Sequence, residues 1–263
     1  MTRRRLDLEL VRRGLAGSRT EALSLIASGR VRVGGTPAVG HRRLVAAQES
    51  VSVARPPRRY ASRGGDKLAG ALDAFRVDPG GKRCLDAGAA TGGFTDVLLS
   101  RGAAHVVAVD VSYGELAWRL RRDRRVTVLE RVNVRALTSD DLPYEPELVV
   151  ADLSFISLRV VVGTLVTLSS GGADLMLLVK PQFEASPEEV EPGGVVRDPH
   201  VWRRVLEGVG EAAASAGAGT LGAVGSAVRG PAGNVEFFLH ARVGSPSRDV
   251  DLGAVVSGIE EAS

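Results

Sequence analysis

Residues 84–96 read Cys-Leu-Asp-Ala-Gly-Ala-Ala-Thr-Gly-Gly-Phe-Thr-Asp, and their pattern decides the fold. An apolar run ends at Asp86, a small-residue turn carries Gly88, Thr91, Gly92 and Gly93, and a helical pattern begins near Phe94. A strand, a small-residue turn and a helix in succession is how an open α/β sheet builds a nucleotide-shaped pocket. The spacing is not G-x-G-x-x-G, so a nicotinamide dinucleotide is not the expected occupant.

Further strand candidates follow Arg83–Asp86 at steady intervals: Val106–Asp110, Val126–Glu130, Leu148–Asp152, Leu175–Lys180, Leu221–Val228 and Val235–Val243. Helical stretches separate most of them, which predicts a mostly parallel sheet covered by helices on both faces. Arg229-Gly-Pro-Ala-Gly233 is too short for a helical crossover, so the last two strands are expected to run antiparallel. Ligands of such sheets collect at the carboxyl ends of the strands. Asp86 ends the first strand and Asp110 the second, where an acid can bond both hydroxyls of a ribose; Asn133 follows the third, placed to meet an adenine edge. Asp152 and Lys180 end the fourth and fifth, Glu236 lies early in the last, and Lys67 stands at the start of the module. Any one of these residues alone also reads as an ordinary turn or strand-end residue.

Charge divides the chain. Residues 1–63 hold fourteen arginines, no lysine and four acids, a net +10; the other 200 residues, with twenty basic and twenty-seven acidic groups, carry −7. A GC-rich genome explains arginine in place of lysine, but not the scarcity of acids in one segment. Two modules are implied, the first facing a polyanion. The charge-free stretches Val160–Ala173 and Ala212–Val228 are too short to span a membrane, and the arginine-rich start is not a secretory signal. The single Cys84 excludes an internal disulfide and suits the cytoplasm. His41, His105, His200 and His240 are scattered without metal-ligand spacing, so no metal is expected.

In the first module Leu6, Leu10, Val11 and Leu15 recur at helical spacing, and Ser18-Arg-Thr-Glu21 matches a reciprocal capping box opening a second helix that Gly29 ends. Val31–Val33, Gly34-Gly35 and Thr36–Val39 read as strand, turn and strand. Arg55-Pro-Pro-Arg-Arg59 reads as a semi-rigid linker. The expected division is a first module at 1–54, a linker at 55–63, a large module at 64–246 and a tail at 247–263.

Resemblances give these patterns names. The series from Leu6-Asp7 through Gly14-Leu15-Ala16, Ser18-Arg19, Leu25-Ile26 and Val31-x-Val33 resembles the S4 RNA-binding domain. That resemblance implies two short helices against a small sheet, with Arg12, Arg13, Arg19, Arg30 and Arg32, and further Arg4, Arg5, Arg59 and Arg63, facing RNA phosphates, contacts that position without reading sequence. The Asp86–Gly93 turn with Asp110 resembles class I methyltransferases, implying S-adenosylmethionine (SAM) held by Asp86, Gly88, Thr91, Gly92, Gly93, Phe94, Asp110 and Asn133. Lys67, Asp152, Lys180 and Glu236 resemble the Lys-Asp-Lys-Glu set of FtsJ-like 2′-O-methyltransferases. Together with Val111-x-Tyr113-Gly-x-Leu-Ala-Trp118, Ala151-Asp-Leu-Ser-Phe155, Leu178-Val-Lys-Pro-Gln-Phe-Glu184 and Gly233-Asn-Val-Glu-Phe-Phe238, the chain is similar to the TlyA family over nearly its whole length. That family methylates cytidine ribose 2′-oxygens of ribosomal RNA, in one or both subunits, and is linked to capreomycin and viomycin susceptibility. Two positions depart from its pattern: Gly65-Asp66 stands where Ala-His is expected, and Tyr60 where Trp is.

A ribose 2′-hydroxyl is a poor nucleophile that must be aligned with the methyl and lose its proton as the bond forms. The expected roles are Lys180 as general base, oriented by Asp152 and Glu236, with Lys67 beside it as a second cation that helps depress its pKa and contacts RNA. The chain is expected to act as a monomer on ribosomal RNA, away from membranes. Three rivals stand: a haemolysin, the historical label of this family, which lacks a membrane-competent segment here; an assembly factor that binds RNA and SAM without catalysis; and a base methyltransferase, which has no need of two lysines and two acids. Pro192-Gly-Gly-Val-Val-Arg-Asp-Pro199 reads equally as a mobile flap or a fixed loop.

Overall fold

The structure, a computed structural model, describes residues 3–54, 59–230 and 232–261. The chain forms two compact units, Met1–Arg58 and Arg59–Ser263. The first contains β1 (Arg3–Arg5), α1 (Leu6–Arg12), α2 (Arg19–Ala27), β2 (Val31–Val33), β3 (Thr36–Pro37), β4 (Leu44–Ala46) and β5 (Val51–Val53). Leu6, Leu10, Ala22, Leu25, Ile26, Val31 and Val33 form its core. Gly14, at φ +68°, follows the Arg13 cap of α1 and interrupts the helical spacing of Leu6, Leu10, Val11 and Leu15. Ser18 caps α2 by accepting from the Glu21 amide at 3.2 Å, but Glu21 reaches back to the Gly17 amide at 2.7 Å rather than to Ser18, so the expected reciprocal box is shifted by one residue. The strand expected at Thr36–Val39 is only two residues long, while β1 pairs with β4 and β2 with β5, pairings too short to leave an alternation in the sequence.

The second unit runs α3 (Gly64–Phe75), β6 (Arg83–Ala87), α4 (Gly93–Ser100), β7 (His105–Asp110), α5 (Trp118–Arg121), β8 (Val126–Glu130), β9 (Leu148–Ala151), α6 (Val162–Leu168), β10 (Asp174–Val179), α7 (Pro181–Glu184), α8 (Pro199–Ser215), β11 (Ala218–Gly225), β12 (Phe237–Val243) and α9 (Leu252–Glu261). Its seven-stranded sheet has the order β11-β12-β10-β9-β6-β7-β8, with β12 antiparallel to both neighbours and the other pairs parallel. This is the sheet the sequence predicts, with small shifts of the strand ends: Asp152 and Lys180 lie one residue past β9 and β10, and Glu236 just before β12.

Strand side chains alternate between faces. Leu85, Val149, Leu177 and Phe237 point into one core with α6 and α8; Cys84, Val106, Val150, Leu178 and Phe238 point into the other with α3 and α4. The buried stripe of α8 (Val201, Val205, Leu206, Val209, Ala213) recurs at helical spacing behind an Asp198 cap and Pro199 at the first position. Cys84 is fully buried, and burial pushes its thiol up to about 12. The stretch expected as linker ends within the second unit: Tyr60 is buried in its core, and the Ala61 amide donates to Asp96 at 2.8 Å. Arg55–Arg58 lie outside the described residues. The stretch expected as a tail carries α9, whose Val256 is buried in the core.

At the amino end of the sheet Asp174, 4% exposed, gathers His240 (2.9 Å), Arg242 (2.8 Å) and Lys82 (3.0 Å). Burial alone would raise its carboxyl, but hydrogen bonds from these three cationic or imidazole groups outweigh that and hold it well below the usual carboxylate range. The stabilisation is therefore present above the unfolded-state value near ~3.9 and is lost as pH falls through the depressed folded value. Asp174→Asn is expected to cost about 2–3 kcal/mol at pH 7, lowering Tm by several degrees in thermal melts, with the difference shrinking once both proteins are acidified below about pH 4.

Candidate active site

Strand alternation brings the site together. Asp86 and Asp110 occupy the same face as Cys84, Val106 and Ala108, and Asp152, Lys180 and Glu236 continue the alternation of Val150, Leu178 and Phe238. All five carboxyl-end residues thus lie on the face covered by α3, from which Lys67 comes.

Two lysine–carboxylate pairs form. Lys180 is 8% exposed, and its Nζ lies 2.7 Å from Asp152 Oδ1. That contact is an ion pair without the angles of a directed hydrogen bond; the hydrogen bond from Nζ goes to Ser154 Oγ at 2.9 Å. Lys67, 7% exposed, donates instead to Glu236, which is 1% exposed. Glu236 therefore orients Lys67, not Lys180 as the sequence reading had it. Burying an unpaired ammonium or carboxylate is costly, so each pair fixes its partner's position.

The glycine-rich turn is held from inside. A Cβ on Gly88 (φ +87°) would sit 2.5 Å from the Asp152 carbonyl oxygen, one on Gly92 (φ +91°) 2.4 Å from Leu120, and one on Gly93 2.2 Å from Ser62 Oγ. The Gly88 and Ala89 amides donate to the Val109 carbonyl and the Gly92 amide to that of Ala89, so two of the expected glycine donors are already committed. Thr91 is exposed, and Phe94 is buried against Phe238 with 6.0 Å between ring centres, a support beneath the turn. Asp110 accepts from the Ala90 and Ser112 amides, both at 2.8 Å, leaving lone pairs for further donors. The exposed Asn133 spends its side-chain oxygen on the Arg135 amide at 3.0 Å.

Asp86 is fully buried. Its Oδ2 accepts from Thr95 at 2.6 Å, while Oδ1 has no partner, and desolvation, with Asp152 and Asp110 adding repulsion, pushes the carboxyl up to about 7. Beside the lysines lies a pocket of about 360 Å³ whose walls include Ser154, Phe155, Lys180, Phe183, Asn234 and Glu236. Phe155 is 91% exposed at φ +64°, a conformation costing a bulky residue about 1–2 kcal/mol, with its ring centre 5.2 Å from that of Phe183.

Sequence reasoning missed the residues that hold these loops. Buried Glu184 accepts from Ser157 and the Leu158 amide (2.6 Å), tying the segment after Lys180 to the segment after Asp152. Buried Asn234 donates to the Gly194 carbonyl at 2.7 Å and accepts from the Val196 amide at 3.0 Å, while Trp202 donates to the Val196 carbonyl at 2.9 Å. Pro192–Pro199 is thus a tied loop. Both residues stand inside recognisable motifs, the only sequence signal that pointed to them. The two departures from the family pattern touch each other: a Cβ on Gly65 would lie 2.4 Å from Tyr60.

The arginines separate into kinds. The Arg13 side chain is 19% exposed and bonds Glu9 and the carbonyls of Ala46, Ala47 and Glu49. Arg5 and Arg19 bond Asp7, and Arg12 bonds Glu9. Arg30 and Arg32 donate to the carbonyls of Ala54 and Gly35. Arg4 and Arg63 are exposed, and Arg59 lies 5.1 Å from the Tyr60 ring centre. Among the described residues no group of three or more His, Cys, Asp or Glu is arranged to hold a metal, and no helix is long and apolar enough to cross a membrane.

A doubly wound sheet whose carboxyl edge carries a glycine-rich turn and paired lysines and acids defines a class, and sequence comparison agrees: the chain is a methyltransferase of the FtsJ-like family, matching over residues 60–243, with an S4 domain matching over residues 4–38. It is 50% identical to the 16S/23S rRNA (cytidine-2′-O)-methyltransferase TlyA of Mycobacterium tuberculosis (strain ATCC 25618 / H37Rv), over 99% of this chain and 96% of that one. It is 32% identical to Hemolysin A of Brachyspira hyodysenteriae, over 90% of this chain and 98% of that one. The solved structure of a hemolysin-named protein from Streptococcus thermophilus aligns with TM-score 0.76 at 34% identity, covering 99% of this chain and 97% of that one.

Because the folded Asp86 carboxyl titrates near 7 against about 3.9 unfolded, its contribution is full below pH 4 and is lost as pH rises to 7. Asp86→Asn cannot ionise. Melts of the ligand-free protein should show the variant gaining on wild type by on the order of 3 kcal/mol between pH 4 and pH 8; a constant difference across that range would count against a buried, repelled carboxylate.

Proposed function

We propose that this chain transfers a methyl group from SAM to the ribose 2′-oxygen of cytidine in ribosomal RNA, in the cytoplasm where ribosomal subunits are made. The observation that carries the reading is the pair of buried lysine–carboxylate contacts, Lys180 with Asp152 and Lys67 with Glu236, beside a pocket open to solvent at Phe155. The 50% identical relative named for this activity, aligned end to end, supports it. The unpartnered buried Oδ1 of Asp86 fits a cationic cofactor such as SAM, which also carries ribose hydroxyls suited to the free lone pairs of Asp110. Bound there, SAM would supply an electrophilic methyl on a sulfonium leaving group.

The protein's own residues then do the rest. The aromatic wall of Phe155 and Phe183 gives an extruded cytosine a surface to stack on. Lys180 Nζ, placed by Asp152 and Ser154, would serve as the base: after giving its own ammonium proton to solvent, the neutral amine would take the 2′-hydroxyl proton as the ribose oxygen accepts the methyl. Lys67, held by Glu236, adds a fixed positive charge on the same face. The exposed Arg4, Arg12, Arg19 and Arg32 and the half-buried Arg5 and Arg30 of the first unit, with Arg59 and Arg63, grip RNA phosphates.

Lys180→Ala should lower kcat on ribosomal subunits by about 10²–10⁴-fold while calorimetry shows SAM binding unchanged. A variant with wild-type kcat would remove Lys180 from the proton transfer.

A further inference from the structure

Two acids sit buried inside the most arginine-rich surface of the molecule. Asp7 and Glu9, in the first turn of α1, are 0% and 1% exposed. Asp7 accepts from Arg5 Nε (3.1 Å) and Nη2 (2.9 Å) and from Arg19 Nε (2.9 Å), joining β1 to the first residue of α2. Glu9 accepts from Arg12 Nε (2.8 Å) and Nη2 (2.6 Å) and from Arg13 Nε (2.7 Å). These bonds engage one edge of each guanidinium, yet the side chains of Arg5, Arg12 and Arg19 remain 36%, 50% and 57% exposed. A planar guanidinium can hold a carboxylate on one edge and a phosphate on another.

We propose that Asp7 and Glu9 are positioning residues for RNA: buried carboxylates that lock Arg5, Arg12 and Arg19 into one constellation before any phosphate arrives. This rests on the reading that the first unit grips ribosomal RNA. An unpaired arginine loses most of its rotamer freedom on gripping a ligand; here that loss is taken at folding. The Arg12 bond first, then Arg13, holds the Glu9 carboxyl down to about 2 against the cost of its burial, so this half of the clamp is charged at neutral pH.

The proposal has a distinctive sign. If the arginines act only as diffuse charge, removing an acid from their midst tightens RNA binding. If they act as a fixed constellation, it loosens binding. In the full chain with purified ribosomal subunits as substrate, Asp7→Asn and Glu9→Gln should each raise KM for the subunit about tenfold, with kcat and SAM affinity unchanged and a folded melt. Arg19→Lys keeps the charge but not the edge geometry, and should raise KM similarly even if the acid variants fold poorly. An unchanged or lower KM in folded Asp7→Asn, or in Arg19→Lys, overturns the proposal. Wild-type protein that fails to methylate any subunit would instead overturn the functional reading on which it rests.

Discussion

The site depends on one geometric constraint, the two-residue alternation of strands in a parallel sheet. Asp86, Asp110, Asp152, Lys180 and Glu236 come from five strands separated by helices and loops, yet all share the parity of residues that face α3 and α4. A one-residue slip in any strand would carry its functional group to the opposite core, where Trp202 and Val205 pack. The burial of both faces of the central strands by Val, Leu and Phe therefore does more than stabilise: it fixes which way each charge points.

Loops finish what the strands begin. Gly88 lets the first turn pass within contact of the Asp152 backbone, Glu184 joins the segments after Asp152 and Lys180, and Asn234 ties the Gly194–Val196 segment to the residues before Glu236. Each link spans two motifs that are far apart in sequence. The loops around the lysines are thus tied to one another, and the strained Phe155 is 91% exposed in the pocket wall.

Much of this was legible in the sequence, for physical reasons. Fully buried parallel strands leave continuous apolar runs, and polar residues at their ends stand out, so Asp86, Asp110, Asp152 and Lys180 could be placed to within a residue. The partners could not: nothing local distinguishes Lys67–Glu236 from Lys180–Glu236, because that choice is made by how α3 packs on the face of the sheet. The bonds of Thr95, Ser154 and Glu184 were not legible because a polar residue inside a motif does not announce its partner. In the first unit the β2–β3 hairpin was legible, but β1, β4 and β5 were missed because three-residue strands carry no periodicity, and the bonds of Arg13 to Glu9 and to backbone carbonyls were not foreseen because composition counts an arginine's charge but not its hydrogen bonds.

The central claim is the chemical identity of the acceptor atom. It is tested most directly by incubating wild-type protein with methyl-labelled SAM and each purified ribosomal subunit, digesting the RNA to nucleosides, and identifying the labelled species by mass spectrometry. The account predicts 2′-O-methylcytidine from at least one subunit; label on a base, or no label in either subunit, would contradict it.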